Sequence, residues 1–164
     1  MRNSRSTGFS PQTVDRAKQV AYRMLSYRDR SVKEIETKLA EKGFSEEVTA
    51  EVVSFLKEAH YLDDDRFAWE WVRSRAVHRH IGPLRLKREL LEKGLSSGEA
   101  DQSIARLTRE YDLLEQAETL LRRRWKDPAF LSDLKNKQRA YLFLQRKGFD
   151  GETILKAIRK IKSQ

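Results

Sequence analysis

The chain has 164 residues, 34 Lys+Arg against 25 Asp+Glu for a net charge of +9, and no cysteine. Charged residues make up 36%, against a usual share of about 25%, and hydrophobic residues 38%, which suits small cores rather than one large one. This composition excludes disulfides, thiolate catalysis and cysteine zinc sites, disfavours a turn-dense all-β fold (seven Gly, three Pro) and offers no run of about 18 apolar residues to span a membrane.

Residues 1–12 read as a disordered polar tail without the apolar core of a signal peptide, so a cytoplasmic location is expected. A first module is expected over residues 13–60. Its opening helix runs from about Pro11 to Tyr27, with Val14, Ala17, Ala21, Met24 and Leu25 on one stripe. Ser31 and Glu34 have capping-box spacing and open a second helix, which ends at Lys38-Leu39-Ala40-Glu41-Lys42-Gly43-Phe44. Gly43 takes the left-handed conformation that closes a helix, Phe44 packs back on it, and Ser45 with Glu46 and Glu47 starts a third helix.

That pattern then recurs. A second module, residues 61–110, carries Glu89-Leu90-Leu91-Glu92-Lys93-Gly94-Leu95 followed by a Ser96/Glu99 capping box. A third, residues 111–164, carries Phe143-Leu144-Gln145-Arg146-Lys147-Gly148-Phe149 and the cap Asp150. The glycines lie 51 and 54 residues apart. Ten residues past each stand Val53, Ile104 and Ile158, and thirteen past stand Leu56, Leu107 and Ile161. Three agreeing copies identify a repeat, so the expected fold is all-α: three tandem three-helix modules in an elongated, curved array.

In the second module the first helix carries its stripe on Phe67, Ala68, Trp71 and Val72, and Gly82-Pro83 breaks the chain before Leu84, Leu86, Leu90 and Leu91. In the third, Leu113, Leu114, Ala117, Leu120 and Leu121 lead into Trp125, and Asp127-Pro128 marks a loop. Trp71 and Trp125 read as core. Trp69 lies about 200° around the helix from Phe67 and is assigned to packing between modules, with a partner-facing role as the other option.

Asp63-Asp64-Asp65 suits the start of a helix, where an Asp caps the amides and its neighbours favour the dipole; no His or Glu at ligand spacing supports a metal. His78 and His80 fall on different faces of a helix, which suits surface or phosphate contact. No phosphate loop, nucleophile elbow or His-Glu-x-x-His occurs, so no enzyme, cofactor or metal is expected.

The cations carry more information. Arg73, Arg75, Arg79, Arg85, Lys87 and Arg88 cross the second module's helix junction. Arg122, Arg123 and Arg124, then Arg139, Arg146 and Lys147, follow in the third. Residues 1–60 hold 11 basic and 9 acidic side chains (+2), residues 61–110 hold 10 and 9 (+1), and residues 111–164 hold 13 and 7 (+6). An anionic partner is therefore expected, with these cations as its contacts.

Tyr61-Leu62-Asp63-Asp64-Asp65-Arg66-Phe67-Ala68, then Arg75, Gly82-Pro83 and Leu90-x-x-Lys93-Gly94-Leu95, resembles the signature of the RecX regulatory proteins. Leu25 to Ser31, Glu34-Ile35 and Leu39-x-x-Lys42-Gly43-Phe44 agree with it, as do Tyr141-Leu142 and Arg146-Lys147-Gly148-Phe149. The order of these motifs covers nearly all of the chain after residue 12. One departure is His60, where the family usually has Gly; a His closing a helix in the left-handed region is tolerated at modest cost. The resemblance implies a regulator that binds the RecA recombinase filament on single-stranded DNA and restrains its ATPase, strand exchange and growth. Single- or double-stranded DNA is a second implied partner, no membrane is involved, and a monomer is expected. A purely structural helical scaffold for another acidic protein is one alternative; the other is a stand-alone helix-turn-helix nucleic-acid binder. Against it, all three modules share the turn, whereas a sequence reader needs one helix with clustered base-contacting side chains.

Overall fold

The computed structural model describes residues 11–162, so the tail expected over residues 1–12 lies outside the described residues except at its last two positions, where the first helix begins. The described residues are all-α. In chain order they form α1 (Pro11–Leu25), α2 (Val32–Glu41), α3 (Glu46–Glu58), α4 (Asp64–Arg79), α5 (Pro83–Glu92), α6 (Ser97–Glu110), α7 (Leu113–Arg124), a 3-10 turn (Pro128–Ser132), α8 (Leu134–Lys147) and α9 (Gly151–Lys162). The chain divides into two compact units, one ending at Phe67 and one starting at Ala68. From Ala68 on, the second module shares one unit with the third.

In the first unit, α1, α2 and α3 close around Ala17, Ala21, Ile35, Leu39, Val52 and Leu56, each at 0% exposure. The Ser31 capping box forms: the Glu34 amide donates to Ser31 Oγ at 3.2 Å, and the Ser31 amide donates to Glu34 Oε2 at 3.3 Å. Arg28 then clamps the same glutamate in a fork, at 3.1 and 2.7 Å. Gly43 stands at φ +81° as its repeat position requires, and His60 takes the left-handed conformation at φ +57°.

The acidic triplet divides its work. Asp63 Oδ1 accepts from the Arg66 amide at 2.9 Å and caps α4, as expected. Asp64 instead reaches 32 residues back: its Oδ1 accepts from the Val32 amide at 2.9 Å, an orphan donor at the start of α2. Asp64→Ala should cost about 1 kcal/mol, the usual worth of a side-chain cap. A urea melt of the purified chain checks this, and an unchanged midpoint would rule it out.

The third module closes α7, α8 and α9 around Leu121, Leu144, Phe149, Ile154, Ile158 and Ile161. Trp125 lies against this core, its ring stacked on Phe130 at 4.7 Å and met edge-on by Phe143 at 5.5 Å. Glu118 is 6% exposed and faces the Lys160 ammonium at 2.7 Å.

The two tryptophans of α4 differ from expectation. Trp69 is buried at 9% exposure and Trp71 is half-buried. Trp69, Val72 and Ala76 follow the i, i+3, i+7 spacing of a core stripe, which leaves Trp71 at its edge. There its indole N–H donates to Glu89 Oε2 at 3.3 Å, while Arg75 covers its ring at 3.9 Å. The ring of Trp69 is covered by the Arg106 guanidinium of α6 at 3.7 Å, a contact within its own module rather than one offered to a partner.

Candidate interface for an anionic partner

The second unit holds every cation singled out in the sequence, and their local partners sort them. Arg75 and Arg85 converge on one carboxylate: Arg75 Nε lies 3.2 Å from Glu89 Oε2, and Arg85 Nε 3.1 Å from Glu89 Oε1. With the Trp71 indole, they make Glu89 the clasp between α4 and α5. Lys87 pairs with Asp101 at 2.6 Å and holds α5 to α6. Arg73 faces Glu70 at 3.7 Å, Arg88 faces Glu92 at 4.0 Å and Arg122 faces Glu118 at 3.8 Å. These six side chains have part of their charge answered inside the chain.

Among the described residues the other six have no carboxylate partner. They occur around the end of α4, the end of α7 and the outer face of α8. Arg124, Arg139 and Arg146 line one concavity of about 480 Å³ with Trp125, Phe130 and Phe143. Arg139 and Arg146 are seven residues apart, two turns along one face. Arg79, Arg123 and Lys147 lie at the joint between the second and third modules. The Lys147 ammonium donates to the Arg79 carbonyl at 3.2 Å, closing an orphan acceptor at the end of α4.

The joint is built from backbone. Gly82, the N-cap of α5, has no side-chain cap of its own. Its amide donates to the Lys147 carbonyl at 2.8 Å, and the Leu84 amide donates to the Gly148 carbonyl at 3.0 Å. Unpaired donors at the start of α5 therefore satisfy unpaired acceptors at the end of α8, with the two helix dipoles in favourable contact. Gly148 is left-handed at φ +96°, and both glycines are pressed against backbone.

His80 sits at this joint in the left-handed region, φ +49°. Its Nε2 lies 2.9 Å from Arg123 Nη1. A guanidinium can only donate, so Nε2 accepts and the ring proton is on Nδ1, which is buried and has no partner among the described residues. Burial first, then the charges of Arg123 and Lys147, hold the imidazole below its usual pKa. The folded state thus favours neutral His80: its contribution is complete above the ordinary value of about 6.5 and is lost as pH falls below it. The urea midpoint of the second unit should fall between pH 7.5 and 5.5. In His80→Asn, which keeps a residue tolerant of φ > 0, that fall should shrink; an equal fall in both proteins would refute the assignment.

Phe67, Ala68 and Leu90 are buried, and Tyr61 is half-exposed with its ring edge-on to Tyr22 at 5.5 Å. Gly94, at φ +87°, closes α5 as Gly43 closes α2. Among the described residues no group of three or more His, Asp and Glu is placed to hold a metal, and no helix is long and apolar enough to cross a membrane. A second basic concavity, about 810 Å³ in the first unit, is lined by Arg16, Arg23 and Lys42 with Tyr27 and Phe44. Its cations are diluted in a segment of net +2, but Arg16 and Arg23 are seven apart on one face of α1, a spacing readable from sequence.

Comparison with known proteins decides the family. Residues 17–56 match the model of the first RecX three-helix domain, residues 63–104 the second and residues 110–158 the third. The chain belongs to the RecX family. Its similarity to the "Regulatory protein RecX" of Stenotrophomonas maltophilia (strain K279a) is 38% identity over 141 residues, covering 86% of this chain and 84% of the relative. To that of Bacillus subtilis (strain 168) it is 37% over 137 residues, covering 84% of this chain and 52% of the relative. A crystal structure of RecX from Lactobacillus salivarius shares the fold at a TM-score of 0.82 and 23% identity, covering 94% of this chain and all of that one. The three RecX domain matches follow the repeat arithmetic, each enclosing one of the glycines at 43, 94 and 148. RecX is a family of regulatory proteins, and this chain takes a regulatory role with it.

Proposed function

We propose that this RecX-family chain binds the RecA filament on single-stranded DNA and restrains its ATPase, strand exchange and growth, a negative regulator of recombination and repair. The observation that carries this reading is the separation of its cations. Among the described residues six stay unanswered by carboxylates, at the joint of the second and third modules, at the end of α7 and along α8, in a family whose named members are regulators. Unpaired arginines offer forked donors for carboxylate on a protein surface or phosphate on DNA, and they cost less to dock than arginines already paired. Repeated modules that touch more than one protomer let a small protein perturb a polymer.

RecA's DNA-dependent ATPase, followed with and without the protein, tests the proposal. Inhibition rising with protein concentration, with shorter filaments by electron microscopy, is expected. An unchanged rate and filament length at large molar excess would remove it. Sequence-specific binding of naked duplex without RecA would favour a stand-alone nucleic-acid binder instead.

A further inference from the structure

The third module carries a second surface that the cation cluster does not use. α8 and α9 form a helical hairpin, and on one side of it lies an open groove of about 590 Å³. Its floor is apolar. Leu134 is 78% exposed and Leu155 47% exposed, and Tyr141 and Ile158 complete it. Leu134 and Tyr141 are seven residues apart on α8, about 10 Å along one face. These leucines are not spill-over from the core: α9 buries Ile154, Ala157, Ile158 and Ile161, and Leu155 lies off that stripe. Exposed apolar side chains gathered in one groove mark an interaction surface more often than chance exposure does.

The rim supplies the second half of the argument. Lys137 on α8 and Arg159 and Lys162 on α9 line it, and no acidic residue does. We propose that this groove docks an acidic amphipathic helix of a partner protein, its apolar side chains spaced two turns apart on the leucine floor and its carboxylates on the lysines. Helix-in-groove recognition needs that combination of an apolar floor and a charged margin. A second copy of the chain fits poorly, because a two-fold contact would set this cationic rim against itself. Nucleic acid fits poorly too, because a floor of aliphatic side chains offers little flat surface for base stacking. The proposal stands apart from the RecA reading and does not require it.

The test uses the full chain and a fluorescein-labelled synthetic helical peptide of about five turns, with Leu at i, i+3 and i+7 and Glu elsewhere on its flanks. Two control peptides replace every Glu by Lys, or every Leu by Ser. Anisotropy should show saturable binding of the first peptide, at least about tenfold tighter than either control. Leu134→Ser with Leu155→Ser should weaken it by about tenfold or more while leaving the melting temperature unchanged, since both side chains are exposed. Lys137→Glu should weaken the acidic peptide and strengthen the lysine-flanked one. No saturable binding, equal binding of the controls, or indifference to the double substitution would overturn the proposal. So would self-association in sedimentation, or oligo-dT binding, that the same double substitution abolishes.

Discussion

Gly82→Ala should unfold the joint between the second and third modules at a cost of about 3 kcal/mol or more, among the largest single-residue effects expected in this chain. The reason is contact, not conformation. Gly82 has φ −79° and ψ 164°, which alanine adopts freely. A Cβ there would lie 2.4 Å from the Gly148 carbonyl carbon and 2.6 Å from the Phe149 amide nitrogen, both backbone and unable to step aside. The ends of α5 and α8 would have to part, breaking the two amide–carbonyl bonds that join them. Each such bond is worth about 1 kcal/mol, and each buried group left unpaired costs about 1–3 kcal/mol more. Gly148→Ala meets the same wall, with the Arg85 Cβ at 2.4 Å, and adds the strain of φ +96°. Gly43→Ala supplies the contrast. Its glycine occupies the same place in the repeat at φ +81°, but nothing lies within 4 Å of the added carbon. It should cost only the conformational term, about 1–2 kcal/mol. Urea melts of the three variants check the ranking, and equal losses at Gly43 and Gly82 would refute it.

Those two glycines also show where sequence was sufficient and where it was not. Left-handed closure at Gly43, Gly94 and Gly148 follows from one recurring local pattern, and local patterns are readable one module at a time. The capping boxes at Ser31 and Ser96, and the left-handed His60, are legible for the same reason. Gly82 reads in sequence only as a chain break before Pro83. Its contact with Gly148 joins residues 66 apart, and no periodicity records that. Asp64 is similar: its neighbour Asp63 caps its own helix as composition suggests, whereas Asp64 caps α2 from across the first unit. The exchange of Trp69 and Trp71 has a subtler cause. A helical stripe drifts around its axis, and which of two nearby tryptophans goes inward depends on the neighbouring helix, here on the Glu89 that waits for an indole N–H. For the candidate interface, the sequence located the cations and the structure divided them. Arg75, Arg85 and Lys87 stand in the same basic run as Arg79, and only packing shows that the first three answer carboxylates of their own module.

That division makes the strongest functional prediction. Reversing Arg79, Arg124, Arg139 and Arg146 together (each →Glu) should weaken the proposed inhibition of RecA by about a hundredfold or more. Exposed charge pairs contribute up to about 1 kcal/mol each, and reversal replaces attraction by repulsion. All four side chains are exposed and none answers a carboxylate among the described residues, so the melting temperature should hold. Reversing Arg73 and Arg88 removes the same kind of charge from side chains already facing Glu70 and Glu92. It should change inhibition by about threefold at most. The ratio between the two sets is the quantity to measure, in RecA ATPase titrations at low and moderate salt. The proposed inhibition by the wild-type protein should weaken as salt rises, and the fourfold variant should have lost most of that dependence, because the charges that release counterions are gone. Equal effects of both sets would mean that total charge, not the unanswered cluster, drives the encounter. A fourfold variant that still inhibits at wild-type concentrations would move the contact surface elsewhere, with the basic concavity lined by Arg16 and Arg23 as the next place to mutate.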